Sequence, residues 1–431
     1  MISRLITLLW GDLSREELKK FGMLASIFFL IIGSYAMVRP LKDAVFMRTV
    51  GKLYLPYARI ASFALLIPLL LLYAKLVDLF QKHQLFYIIC SCYVALFLFI
   101  SYALTSPMHG LANTTQDKWR LLGWLLFVSI ETFGSLVVAL FWSFVANRTN
   151  TATAKRGYPL IVVGAQVGSL LGPEMAKRAS WIGVPRLVFI VACTIALIAL
   201  GIRIFTALSD ENYNAPEKEH HTGPIEGLRL LLKRPYLLGV LCIATFGDIV
   251  STILEYQMML CADDTYASIE KVIEFFSFYV QSFTIIALVF AIMGTSFFVR
   301  RFGLTFCLVM YPLATAAVVV LVWLKPLLWV LFGAMITIKG LSYALNVPCK
   351  EMLYIPASTD IKFKAKSWID GVGSRWSKAL GAGINACFVN SAHLVFFGSL
   401  VSLGIIGSWV MIAFFVGKKN EQLVRDGKII E

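Results

Sequence analysis

The chain has 431 residues, of which 59% are hydrophobic and only 15% charged, and its mean hydropathy is +0.78. Soluble domains carry about 25% charged residues, so a soluble globular fold is excluded and an all-α, polytopic membrane protein is expected. The formal net charge is +14. The basic residues are dispersed among apolar stretches, which points to an anionic membrane face and an anionic substrate and away from nucleic acid.

In chain order, residues 1–20 mix Arg4, Asp12, Arg15, Glu16 and Glu17 and lack the apolar run and cleavage site of a signal peptide. A bilayer-crossing helix takes about 20 mainly apolar residues. Twelve such stretches are predicted, at 21–46, 54–78, 84–105, 119–147, 158–176, 184–208, 235–261, 274–299, 302–324, 327–356, 367–390 and 392–416. Two are the least apolar. The stretch 158–176 is Gly-rich, and 367–390 contains Asp370, Arg375 and Lys378, polar residues expected to face a cavity and not lipid.

Lys and Arg bias sets orientation. With the N-terminus inside, the cytoplasmic segments carry many more Lys and Arg than the outer loops, so both termini are expected in the cytoplasm. The longest polar stretch, 209–234, includes Glu217, Lys218, Glu219, His220 and His221. It reads as a solvated cytoplasmic linker between an N-terminal six-helix half, 1–208, and a C-terminal six-helix half, 235–431. The halves echo each other weakly: Ala154-Lys155 aligns with Ala365-Lys366, and Gly172 with Gly383. Two parallel six-helix halves describe the major facilitator architecture, which binds substrate near the midplane. The eight cysteines contain no CxxC pair, so no metal site, disulfide framework or cofactor is expected.

Ionisable groups at membrane depth are costly and face a partner or a water-filled path. Lys42, Glu131, Glu255 and Lys350 are the main such groups. Glu131 falls near the middle of its span. Lys42 lies far enough beyond Phe21 to reach the interface, although Pro40 can turn nearby polar groups inward. Glu255 and Asp248 compete for one role on position alone. Lys350 follows Asn346-Val347-Pro348-Cys349, and Lys339 is a further candidate nearer mid-span. Arg375 and Lys378 are three apart and share a helix face. Lysine is a compact charge suited to phosphate, and Tyr35, Trp142, Tyr343 and Trp376 could stack on a base. No GxxxxGK[ST], HExxH or GxSxG motif is present, so an enzyme is not expected.

Specific strings then carry a resemblance. Arg39-Pro40-Leu41-Lys42-Asp43 resembles the first-span motif of the bacterial and plastid ATP/ADP translocases. So does Phe141-Trp142-Ser143-Phe144-Val145-Ala146-Asn147, followed by Ala154-Lys155-Arg156-Gly157-Tyr158-Pro159. The longest match is Pro348-Cys349-Lys350-Glu351-Met352-Leu353-Tyr354-Ile355-Pro356, followed by Lys364-Ala365-Lys366. The resemblance implies that Lys42, Glu131, Glu255 and Lys350 serve nucleotide transport, and it favours Glu255 over Asp248. Arg39, Arg375 and Lys378 are expected to support the lysines in binding phosphates. The implied activity is ATP/ADP antiport by alternating access, with phosphate as a possible companion substrate, by a monomer in the lipid bilayer of a bacterial inner membrane. The sequence departs from the family pattern at Asn346-Val347, where exchangers have Phe-Asp, and at Met258-Met259, where a lysine is missing. Those departures leave proton-coupled import of other nucleotides or organic anions as the alternative. A non-transport membrane assembly protein is the minor one.

Overall fold

The computed structural model describes residues 14–149, 151–208, 231, 234–293, 301–356, 366, 368–388 and 391–426. Within them run the helices α1 (Arg15–Thr49), α2 (Leu55–Leu79), α3 (Lys82–Thr105), α4 (Leu121–Asn147), α5 (Thr151–Ala176) and α6 (Val184–Leu208). These are followed by α7 (Pro235–Thr265), α8 (Ile269–Met293), α9 (Leu304–Leu324), α10 (Leu328–Leu341), α11 (Ser374–Ala386) and α12 (Ser391–Arg425). No strand occurs among the described residues. A helix satisfies every backbone N–H and C=O within its own segment, which the bilayer core requires.

Eleven described helices are long and apolar enough to cross a membrane. The expected span at 367–390 is the exception. It is helical, but as a six-residue wide turn, Trp368–Gly373, leading into the 13-residue α11. The expected linker at 209–234, with His220 and His221, falls almost wholly outside the described residues.

The chain divides into two compact units: Met1–Lys218 with Tyr266–Thr284, and Glu219–Thr265 with Ile285–Glu431. The first part of α8 thus belongs with α1–α6. Gln281 explains why: its side-chain amide donates to the Leu170 carbonyl and to Glu174 Oε2 of α5, each at 2.9 Å. The Ser169 and Thr284 hydroxyls meet 3.4 Å apart alongside.

Unit 1 is organised by α1. Its start is a reciprocal cap, in which the Glu17 amide donates to Ser14 Oγ and the Ser14 amide to Glu17 Oε2. Glu17 also pairs with Arg156 of α5 at 2.9 Å. From there the two helices run in close backbone contact. A Cβ on Gly164 would strike the Ala25 carbonyl, one on Gly168 would lie 2.5 Å from the Phe29 carbonyl oxygen, and one on Gly172 would strike the Gly33 carbonyl. Glycines four apart form one stripe along α5, the small-residue packing that lets membrane helices approach.

Unit 2 repeats the device with α11 against α7. The buried face of α11 is Gly373, Ser377, Gly381 and Asn385, again four apart. A Cβ on Gly381 would lie 2.8 Å from Thr252 Cβ and 3.0 Å from the Ile249 carbonyl oxygen. The Asn385 side chain donates to the Thr252 carbonyl at 3.3 Å. Gly383, the residue aligned with Gly172 in the sequence, lies off this seam: a Cβ there would meet nothing within 4 Å.

The seam sets a test. Gly168→Leu should lower the thermal midpoint of purified protein or prevent its accumulation, because backbone cannot yield as a side chain can and overpacking costs about 1–3 kcal/mol or more. Gly404→Ala, where an added Cβ meets nothing within 4 Å, should leave the midpoint unchanged or slightly raised. Equal midpoints for both variants would refute the close approach of α1 and α5.

Candidate substrate site

In unit 1 the site begins with a helix enclosed on all sides. From Ala36 to Met47 every residue of α1 is buried except Arg39. Pro40 lies within this stretch; it has no N–H to give the Ala36 carbonyl one turn back. Lys42 is only 4% exposed, so whatever its depth its ammonium is enclosed by protein. α1 itself continues as one helix of 35 residues to Thr49.

α4 brings the partner. Glu131 Oε1 is 2.5 Å from Lys42 Nζ, and Asp43 Oδ1 lies 3.3 Å from the same nitrogen. Phe127, one turn before Glu131, places its ring centroid 4.2 Å from Nζ, a favourable seat for a desolvated cation. Gly134, three residues after Glu131, makes room for the Tyr35 ring, which lies where a Cβ would be. One face of α4 thus presents a ring, a carboxylate and a gap to α1. Arg39 acts electrostatically on Tyr35, and Arg59 of α2 acts on Lys42. Lys42 is thus flanked by two carboxylates, with the charges of Arg39 and Arg59 acting on the same cluster. Within the ion pair the lysine side chain is 5% exposed and that of Glu131 37%, so the carboxylate is the outer partner.

In unit 2 the helix α10 does not run straight to its lysine. It opens into a wide turn at Ser342–Asn346 and resumes as Val347–Met352. Pro348 is the local reason: its ring clashes with the carbonyl of residue 344 and offers it no hydrogen bond, and a wide turn absorbs the misfit. Lys350 follows and pairs with Asp370 Oδ1 at 2.7 Å. Its neighbour Glu351 points elsewhere and pairs with Lys366 at 2.5 Å, as adjacent helical positions require. Asp370 belongs to the second wide turn, Trp368–Gly373, so the two irregular segments flank one ion pair. Asp370 was singled out by sequence only as a polar residue beside Arg375 and Lys378. Its pairing with Lys350 joins residues 20 apart, one after a wide turn and one within another, and no local pattern signals it.

The two carboxyl candidates of α7 separate clearly. Asp248 Oδ2 accepts hydrogen bonds from the Ser374 hydroxyl at 3.0 Å and the Ser377 hydroxyl at 3.5 Å, tying α7 to α11. Glu255 is the one residue from Ile249 to Leu260 that is not buried. It mirrors Arg39, the single opening of the enclosed part of α1. Arg375 is half-buried and Lys378 exposed on α11, both off its buried face. Lys339 is half-buried on α10. Of the departures from the family pattern, Met258 and Met259 are buried and Val347 is exposed.

The sequence profile of the TLC ATP/ADP transporter family matches residues 1–324 and 306–419. The ADP,ATP carrier protein 1, chloroplastic, of Arabidopsis thaliana is 28% identical, over 94% of this chain and 73% of its own. The ADP,ATP carrier protein 4 of Rickettsia conorii is 24% identical over 96% and 92%, and the ADP,ATP carrier protein 1 of Chlamydia muridarum 28% over 93% and 86%. Among solved structures, a bacterial homologue of the iron transporter ferroportin aligns with a TM-score of 0.66 at 10% identity, covering 94% of this chain and all of its own. A D-xylose-proton symporter aligns with a TM-score of 0.62 at 14% identity, covering 93% and 97%. These structural likenesses show the fold, that of a multi-pass helical transporter. With the family profile spanning nearly the whole sequence, the chain belongs to the TLC ATP/ADP transporter family.

Proposed function

We propose that this protein exchanges ATP for ADP across a membrane by alternating access, without catalysing a reaction on either. The observation that carries this reading is Lys42: an ammonium enclosed by an apolar helix layer and held by a carboxylate at 2.5 Å. Such a cation is expensive to bury without an anion beside it, and the α and β phosphates of a nucleotide are anions of matching size. Family membership supplies the nucleotide. Lys42 and Lys350 bind phosphates, supported by Arg39, Arg375 and Lys378. Glu131 neutralises Lys42 in the empty carrier, and Glu255, at the single opening of its stretch of α7, is the corresponding acidic group in the second half. The halves are 1–208 and 235–431, joined by a cytoplasmic linker. The carrier works as a monomer in a bacterial inner membrane with both termini in the cytoplasm.

A second reading, proton-coupled import of other nucleotides or organic anions, draws on Asn346-Val347 and Met258-Met259. Burial of Met258 and Met259 weighs against it, since apolar side chains at those positions also serve as packing.

Three measurements test these readings. Cells expressing the protein should take up labelled ATP, and internal ADP should accelerate it; a protein present in the membrane that moves no nucleotide would rule out the first reading. A protonophore should leave this uptake intact under exchange and abolish it under proton coupling. Glu131→Gln should cut uptake by about fivefold or more, because leaving the buried Lys42 ammonium with Asp43 alone forfeits about 1–3 kcal/mol; the double exchange Lys42→Glu with Glu131→Lys should restore folded protein but not transport. Full uptake by Glu131→Gln would remove that residue from the mechanism.

A further inference from the structure

We propose that Asp370 is the resident counter-ion of Lys350, occupying the ammonium in the empty protein and yielding that place to a substrate phosphate. This rests on the nucleotide-exchange reading above. That reading gives Glu255, on α7, as the corresponding acidic group of the second half; the carboxylate that meets Lys350 comes from the turn before α11, at 2.7 Å.

Three observations converge. The first is a shared pattern. Lys42 with Glu131 and Lys350 with Asp370 are each a lysine from the family motif joined to a carboxylate on another segment. In both, the lysine is the inner partner: 5% against 37% exposure in unit 1, and 19% against 36% in unit 2. The group nearer solvent is the one an arriving anion displaces. A carboxylate oxygen and a phosphate oxygen accept the same charge-assisted hydrogen bond from an ammonium, so one substitutes for the other.

The second is that the pair is not needed to hold α11. That helix is already fixed to α7 by Ser374 and Ser377 on Asp248, by Asn385 on the Thr252 carbonyl and by the close approach of Gly381. An ion pair this accessible adds little stability. The third is its mounting. Lys350 follows one wide turn and Asp370 lies in another. A wide turn absorbs a one-residue shift of register, and each residue of shift rotates a side chain by roughly 100° about the helix axis. Asp370 has a route away from Lys350 without unfolding α11.

Displacement of a resident anion has a measurable signature. The apparent affinity for nucleotide is reduced by the fraction of molecules in which Asp370 holds the lysine. Purified full-length wild type and variants in detergent are titrated with ATP and followed by calorimetry. Asp370→Asn should bind ATP roughly threefold to tenfold more tightly than wild type, and Asp370→Glu should stay within about twofold of it. On a Lys350→Gln background the Asp370→Asn change should give no tightening, a dependence that a merely structural role would not produce. Wild type that binds ATP while folded Asp370→Asn binds no more tightly overturns the proposal and leaves nucleotide exchange standing. Wild type that binds no nucleotide overturns both. Asp370→Ser serves as a second neutral variant; if neither neutral variant yields folded protein, Asp370 holds the fold and the proposal is overturned.

Discussion

The close approach of backbones at two seams, α1 on α5 and α11 on α7, is the constraint on which the rest of the structure depends. In lipid, apolar side chains gain little by meeting one another, because the surrounding tails are equally apolar. Helices associate where small residues let their backbones come within van der Waals reach. Gly164, Gly168 and Gly172 do this for α1, and Gly373, Ser377 and Gly381 for α7. Once α5 has clasped α1, the far end of α1 is enclosed on every side but one. That enclosure gives Lys42 its depth and makes a nearby carboxylate necessary.

The charged groups follow from this packing rather than from local pattern. A lysine this deep needs compensation, and unit 1 supplies it from α4, whose Phe127, Glu131 and Gly134 fall on one face. Unit 2 reaches a comparable result by a different route. There the helix is interrupted at Ser342–Asn346, Lys350 emerges beyond the interruption, and the neutralising carboxylate comes from a second interrupted segment. The units share a principle, an inner lysine covered by an outer acid, without sharing the position of the acid.

Much of this was legible in the sequence, and the failures are physically instructive. Hydropathy located eleven spans, because a stretch of apolar residues long enough for a bilayer is a direct physical signal. It was weakest at 158–176 and 367–390, the two stretches that became the seams. Their close helix contacts rest on glycine, serine and asparagine, which score as polar or neutral although they bring backbones together. Asp248 and Glu255 could not be told apart by depth; the Ser374 and Ser377 hydroxyls that engage Asp248 lie more than a hundred residues away. The partner of Lys350 depended on two irregular turns, and regular periodicity cannot express those.

The seams also dictate how this sequence is free to drift. At most buried positions polarity is penalised and volume has some latitude, since an apolar side chain can trade shape with its neighbours. Along α5 and α11 the filter is inverted. Ser377 sits in the α11 seam between Gly373 and Gly381, so a hydroxyl is admitted where a branched hydrocarbon is not. Descendants of this chain should therefore vary in chemistry but not in girth at these sites. Searches that reward hydrophobicity will score lowest, in each half, the helix that holds its first helix in place.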